Sequence, residues 1–80
     1  MTLTMVFLGK LEDVAGCASR VVPLTASLDD AIDALGPELA DALRGPRIKL
    51  AVNGVLLQGG AAPVLRDGDE IAFLPPVSGG

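Results

Sequence analysis

The sequence predicts an α+β fold, with one main helix packed on one face of a mixed sheet. Short apolar runs with period-two alternation lie near both ends of the chain and in its second half, around Met5, Leu50 and Phe73. One stripe of helical period, Leu28, Ala31, Ile32 and Leu35, lies between them. The resulting order is strand, strand, helix, strand, short strand, final strand. A hairpin followed by a crossover helix places a later strand parallel to the first.

The first strand is expected over residues 2–8, where Leu3, Met5 and Phe7 share one face and Thr4, Val6 and Leu8 the other. Residues 9–17, with Lys10, Glu12 and Asp13, read as a loop or bulged turn, and residues 20–24 as the second strand. The helix is expected over residues 27–35. Ser27 is a good N-cap, and Asp29 and Asp30 place negative charge against the dipole of the first turn. Gly36 suits the C′ position and Pro37 blocks continuation. Residues 38–44 read as a second short helical segment or an extension, closed by Gly45-Pro46.

Residues 47–52 alternate, with Ile48, Leu50 and Val52 inward and Lys49 and Ala51 outward. Asn53-Gly54 is a type I′ hairpin signal, followed by a short return strand over residues 55–57. Gly59-Gly60 and Pro63 mark an irregular connection, and Val64 and Leu65 are expected to plug the edge of the core. The turn Arg66-Asp67-Gly68-Asp69 opens the last strand, Ile71 to Leu74. Pro75 and Pro76 cannot continue a central ladder, so the strand stops there. Leu3, Met5, Phe7, Ile48, Leu50, Val52, Ile71 and Phe73 are the expected sheet side of the core.

The 80 residues make one domain, read as a core unit over residues 1–76 and a flexible arm over residues 77–80. A chain this short buries roughly 60–65% of its unfolded surface, enough for a thin core without staples. Half of the residues are hydrophobic and 20% are charged, which is a globular composition. With six Lys and Arg and a net charge of −4, nucleic acid is not an expected partner, and an acidic surface favours a basic protein partner. No apolar run approaches the about 20 residues of a membrane span. The first residues lack the basic flank and apolar core of a signal peptide. A lone Cys with no second thiol fits a reducing cytoplasm.

Few side chains carry reactive chemistry, for the sequence holds no His, Trp or Tyr and one Cys. Cys17 lacks a His or second Cys to activate it and reads as incidental. Asp67, Asp69 and Glu70 lack the remaining spacings of a calcium loop and read as turn residues and solvated charge. Gly59-Gly60 has no following Lys-Ser or Lys-Thr and is no phosphate loop. Asp29, Asp30 and Asp33 read as helix-start and surface charge. Attention therefore falls on Pro75-Pro76-Val77-Ser78-Gly79-Gly80, a projecting arm whose two glycines fit passages too narrow for other residues.

With those residues in view, the chain resembles the MoaD/ThiS family of ubiquitin-like sulfur carriers, which have the β-grasp fold. It most resembles the branch of molybdopterin synthase small subunits. The resemblance is carried by Val52-Asn53-Gly54, by Leu65-Arg66-Asp67-Gly68-Asp69-Glu70-Ile71-Ala72-Phe73-Leu74, and by the six arm residues. Met5-Val6-Phe7-Leu8-Gly9 and Val14-Ala15-Gly16 match more loosely. The resemblance implies that Gly80 is adenylated by an E1-like activating enzyme using ATP and converted to a thiocarboxylate. Sulfur would then pass to a pterin precursor in molybdopterin biosynthesis. It further implies a large synthase subunit as partner, in a heterotetramer whose catalytic groups lie on that subunit, so that this chain alone is not catalytic and binds no cofactor. Gly79, Ser78, Val77, Pro76 and Pro75 would be the inserted tail, ordered in the complex and variable without it. Carriers serving thiamine, cysteine or tRNA thiolation, and ubiquitin-like protein modifiers, are the alternatives. The Pro75-Pro76 pair favours the molybdopterin branch.

Alternation exposes a further surface without any family knowledge. If the core residues face the helix, then Val6, Leu8, Ala51, Ala72 and Leu74 face away from it. A solvated sheet face should be polar there, and this one is largely apolar. These five residues are therefore the expected partner-binding face at the root of the arm.

Overall fold

The structure, a computed structural model, describes residues 1–45, 47–57 and 64–76. Its elements are β1 (Thr2–Phe7), α1 (Lys10–Ala15), β2 (Ser19–Pro23), α2 (Leu28–Asp33), α3 (Pro37–Leu43), β3 (Lys49–Val52), β4 (Val55–Leu56) and β5 (Glu70–Leu74). The strands form one sheet in the order β2-β1-β5-β3-β4. β1 is antiparallel to β2 and parallel to β5, while β3 is antiparallel to both β5 and β4. The later strand expected to run parallel to the first is thus β5, and their pairing is the centre of a mixed sheet. The connection through Gly59, Gly60 and Pro63 and the arm of residues 77–80 lie outside the described residues.

The core follows from strand alternation. Leu3, Met5, Phe7, Ile71 and Phe73 are essentially inaccessible to solvent, and Leu11, Leu28, Ala31, Ile32, Leu39, Ala40 and Leu43 cover them from the helical layer. Met5 pairs with Ile71 and Phe7 with Phe73 across the parallel ladder. The two phenylalanine rings stack with centroids 5.9 Å apart and planes 13° from parallel, an offset arrangement that adds to their burial. Ile48, Leu50 and Val52 pack against this core but stay half-buried. Their strand lies next to a two-residue edge strand.

Of the two readings of residues 38–44, a second short helix or an extension of the first, the structure has the second helix, α3. Ser27 caps α2, its Oγ accepting the Asp30 N–H at 3.2 Å. The helix stops at Asp33 with Ala34 as its cap, so Gly36 is not the C′ residue of that helix. Gly36 instead stands at φ 102° immediately before α3, and Pro37 begins α3. The Gly-Pro pair breaks a continuous helix into two because Pro37 cannot donate to a preceding turn. Arg44 ties the pieces together, reaching Asp29 at 2.7 Å and Asp33 at 2.8 Å.

The loop expected over residues 9–17 contains a helix, α1. It has no side-chain cap and buries only Leu11, so it shows no apolar stripe that periodicity could find. Gly16 ends it in the left-handed region at φ 77°, donating to the Glu12 carbonyl at 2.9 Å, a favourable stop for glycine. Val64 does not plug the core edge: it is 79% exposed, while Leu65 alone packs against the core. The Asn53-Gly54 hairpin forms as expected, with both residues at positive φ, 51° and 83°.

Stability should depend unequally on the two kinds of apolar residue. Phe73→Ala, at a fully buried site, is expected to cost about 3–5 kcal/mol. Val55→Ala, at a residue 66% exposed, should stay within about 0.5 kcal/mol of wild type. Urea unfolding of the two variants checks this contrast.

Candidate functional site

β5 joins two ends of different character. At its start, every carboxylate of the Asp67-Gly68-Asp69 turn has a backbone or amide partner. Asp67 Oδ1 accepts the Thr2 N–H at 2.8 Å, and Gly68 N–H donates back to the Thr2 carbonyl at 2.8 Å. Asp69 Oδ2 accepts the Arg66 N–H at 2.8 Å, and Oδ1 accepts from Asn53 Nδ2 at 2.9 Å. Asn53 Oδ1 in turn accepts the Glu70 N–H at 3.0 Å, and the Asn53 N–H donates to the Glu70 carbonyl at 2.8 Å. The Asn53 amide, and then the Arg66 N–H, hold the Asp69 carboxyl below its ordinary pKa, because both stabilise its charged form. These residues clamp the β3–β4 turn to the start of β5 and to β1. They form a structural joint, and the Asn-Gly and Asp-Gly-Asp segments of the sequence meet in it.

The other end of β5 is the root of the arm. Leu74 pairs with Lys49, and the Phe73 carbonyl accepts the Leu8 N–H at 3.3 Å. Pro75 is half-buried and Pro76 exposed. The Pro75 ring lies against Gly9, so closely that a Cβ on Gly9 would come within 3.0 Å of Pro75 Cγ. In the sequence Gly9 stands as the first residue of the loop over residues 9–17 and the last of a loosely matching segment, with no role of its own. The signal available was a glycine placed directly after a strand and before a helix, which marks a backbone that needs positive φ or close approach.

The register places the five predicted face residues side by side. Val6 pairs with Ala72, Ala72 with Ala51, and Ala51 with Leu56, so one lateral row crosses four strands. Leu8 and Leu74 stand one step beyond the Phe7–Phe73 pair and extend the row toward the arm. Val6, Ala51, Ala72 and Leu74 are half-buried and Leu8 is 40% exposed. The sequence reading missed two members of this surface. Leu56 is brought in by the β3–β4 hairpin, and Val21 lies opposite Thr4 on the outward side of β2. Both are exposed.

The remaining candidates lie elsewhere. Cys17 is half-buried beside the core, with Sγ 3.8 Å from the Ala15 carbonyl. Asp29 and Asp33 are engaged by Arg44. Among the described residues, no group of three or more His, Cys, Asp or Glu is placed to hold a metal ion, and no helix is long and apolar enough to cross a membrane.

A family model, that of the ThiS family, matches residues 5–80. The chain belongs to the ThiS family. Among solved structures, this ThiS-family chain is similar to SAMP1 from Haloferax volcanii, at 28% identity and a TM-score of 0.78 over 100% of both chains. A second crystal structure, of H. volcanii small archaeal modifier protein 1, matches at 30% identity and a TM-score of 0.72, over 95% of this chain and 98% of that one. A putative molybdopterin converting factor, subunit 1, from Pyrococcus furiosus shares the fold at 20% identity and a TM-score of 0.71, over 96% and 99% of the two chains. No curated protein matches the chain. These likenesses, with the five-stranded mixed sheet, identify the fold as the ubiquitin-like β-grasp.

The joint at the start of β5 should show its charge as pH-dependent stability. Because the Asp69 pKa lies below its ordinary value near 3.8, its contribution is complete above that pH and is lost as pH falls through the lower, folded value. Asp69→Asn should therefore lower the melting temperature at neutral pH, and the gap to wild type should narrow as the pH falls below the ordinary carboxylate value. Thermal unfolding at a series of pH values checks the trend, and a gap that widens in acid would contradict it.

Proposed function

We propose that this chain is a sulfur carrier whose working group is the Gly80 carboxylate. The observation that supports this reading most is the family match itself, which runs through the Gly79-Gly80 pair. It is joined by a strand that ends at Leu74, with Pro75 and Pro76 past its last residue. A carboxylate is a poor electrophile. Adenylation by a partner enzyme with ATP turns Gly80 into an acyl-adenylate with release of pyrophosphate. A sulfide-equivalent nucleophile then displaces AMP and leaves a terminal thiocarboxylate, a soft nucleophile. Delivery of that sulfur to a pterin precursor in molybdopterin biosynthesis is the finer reading, with a large synthase subunit supplying the binding and charge-stabilising groups. No cofactor is needed within this domain, and ATP acts on the activating enzyme.

The outward face at the arm's root is the proposed docking surface for both partners. Val6, Leu8, Ala51, Ala72 and Leu74 form one continuous apolar area beside Pro75 and Pro76. Burial of such an area is favourable in proportion to its size. Docking there holds the arm's root in place and lowers the entropy lost when the arm enters a partner.

A second reading has a specific observation behind it. Both H. volcanii structures, at 28% and 30% identity, are of a protein named as a modifier. In that reading the activated Gly80 is attacked by a lysine amine of another protein, giving an isopeptide bond and releasing the activating group. Both readings need the same activated terminus and diverge only at the nucleophile.

Intact mass spectrometry of the chain from sulfur-replete cells tests the carrier. Replacement of one oxygen by sulfur at Gly80 should add about 16 Da. Deleting Gly80, or adding an alanine after it, should abolish this gain while the domain still folds. A full gain in the extended chain would refute the proposal. Lysine-linked Gly80 in other proteins, with no effect of the deletion on molybdopterin formation, would select the modifier reading.

Leu8→Asp and Leu74→Asp should each weaken binding to the activating enzyme and to the large subunit by about tenfold, with the fold retained. Titration calorimetry against both partners measures it. Unchanged affinity for both would remove the docking face.

A further inference from the structure

We propose that Gly9 is the positioning residue for the arm: its missing Cβ seats the Pro75 ring and so sets the direction in which the chain leaves the sheet. This rests on the reading of Gly80 as the working group and names the part of the fold that aims it. The β1–β5 register carries the inference. Phe7 pairs with Phe73, Leu8 follows beside Leu74, and the next step of the same ladder brings Gly9 to Pro75. Pro75 has no N–H, so a hydrogen bond cannot extend the ladder at this step. Steric contact replaces it. The ring lies where an ideal Cβ on Gly9 would be 3.0 Å from Cγ and 3.9 Å from Cδ.

Gly9 is itself fixed from behind. The Leu8 N–H donates to the Phe73 carbonyl at 3.3 Å. The Leu8 carbonyl accepts from Leu11 at 3.1 Å and the Gly9 carbonyl from Glu12 at 3.2 Å, which opens α1 and buries Leu11 in the core. At φ 55° and ψ −129°, Gly9 occupies backbone space that L-residues rarely adopt. One residue therefore turns the chain into α1 and leaves the space that Pro75 fills. Gly9 touches no reacting atom. It acts through Pro75, so its removal should change how often the terminus is presented correctly and leave docking affinity unchanged.

Two measurements test this. In the first, a nitroxide on Ser78→Cys, in a Cys17→Ser background, maps arm direction in the free full-length chain by paramagnetic broadening. Gly9→Ala should redistribute the broadening over the domain. Pro75→Ala, which leaves Gly9 and its turn intact, should redistribute it too. The double variant should lie closer to Pro75→Ala than Gly9→Ala does, because the clash with the ring is gone and only the backbone strain at residue 9 remains. In the second, ATP–pyrophosphate exchange with the E1-like adenylating enzyme from the same source reads kcat and KM. Gly9→Ala should lower kcat by about tenfold to a hundredfold, as small misplacements do, with KM within about twofold. In the Pro75→Ala background, Gly9→Ala should have a smaller further effect, the part that comes from backbone strain at residue 9 alone. An unchanged broadening map in Pro75→Ala, or equal kcat losses from Gly9→Ala in both backgrounds, would overturn the proposal. If the wild-type chain supports no exchange, the sulfur-carrier reading fails, and the broadening maps still decide whether Gly9 sets the exit of the arm.

Discussion

The parallel pairing of β1 with β5 is the constraint on which the rest of the structure depends. It joins residues from opposite ends of the chain and places Met5 on Ile71 and Phe7 on Phe73. Those four side chains are almost wholly removed from solvent. A slip of β1 by one residue against β5 would turn Met5 and Phe7 outward and bring Val6 into the core. The core would lose Phe7 and with it the stack on Phe73, so the register has no close competitor. With one helical layer and a thin core, the domain has little other apolar area to fix it.

The same register assigns the two ends of β5 to different work. At the start, Asn53, Asp67 and Asp69 satisfy backbone donors on three segments. The bonds to the Asp67 and Asp69 carboxylates are charge-assisted and so stronger than neutral pairs. They fix the place where the β3–β4 turn, the turn before β5 and the start of β1 meet, and among the described residues no buried side-chain polar atom is left without a partner. At the end of β5, polar satisfaction gives way to apolar surface and a proline. The acidic segment that stands out in the sequence is a joint, and the plain segment beyond it leads to the terminus.

Much of the fold was legible because local and global signals agree. Asn53-Gly54 dictates a hairpin, Ser27 caps a helix, and Pro75 stops a strand, and each does so in the structure. The outward apolar face was legible for a similar reason: alternation leaves no other place for Val6, Ala51 and Ala72. The rest escaped for identifiable causes. α1 is held by one buried leucine and a left-handed glycine, too little for a periodic pattern. Gly36 and Pro37 read equally well as the end of one helix or the start of the next. Val64 is apolar yet exposed, and nothing in its neighbours distinguishes it from Leu65. Val21 and Leu56 join the face only through strand pairing, which a single sequence does not display.

Gly9 and Pro75 escaped for the deepest of these reasons. Neither has a side chain with chemistry, and they are far apart in sequence. Their meeting follows from counting two steps along the ladder from the stacked phenylalanines, which requires the register to be known first. Core and arm are thereby linked. The packing that selects Phe7 opposite Phe73 also selects the residue on which the arm's first proline rests. A thin core can fix a register firmly but can fix a projecting chain only where that chain still touches it, and Pro75 is half-buried at that boundary whereas Pro76 is exposed. On the proposed reading, the direction of the chain past Pro76 is set at the contact of Pro75 with Gly9. A glycine there lets the contact be close, because a ring pressed on bare backbone has fewer ways to move than one set against a side chain that can change rotamer.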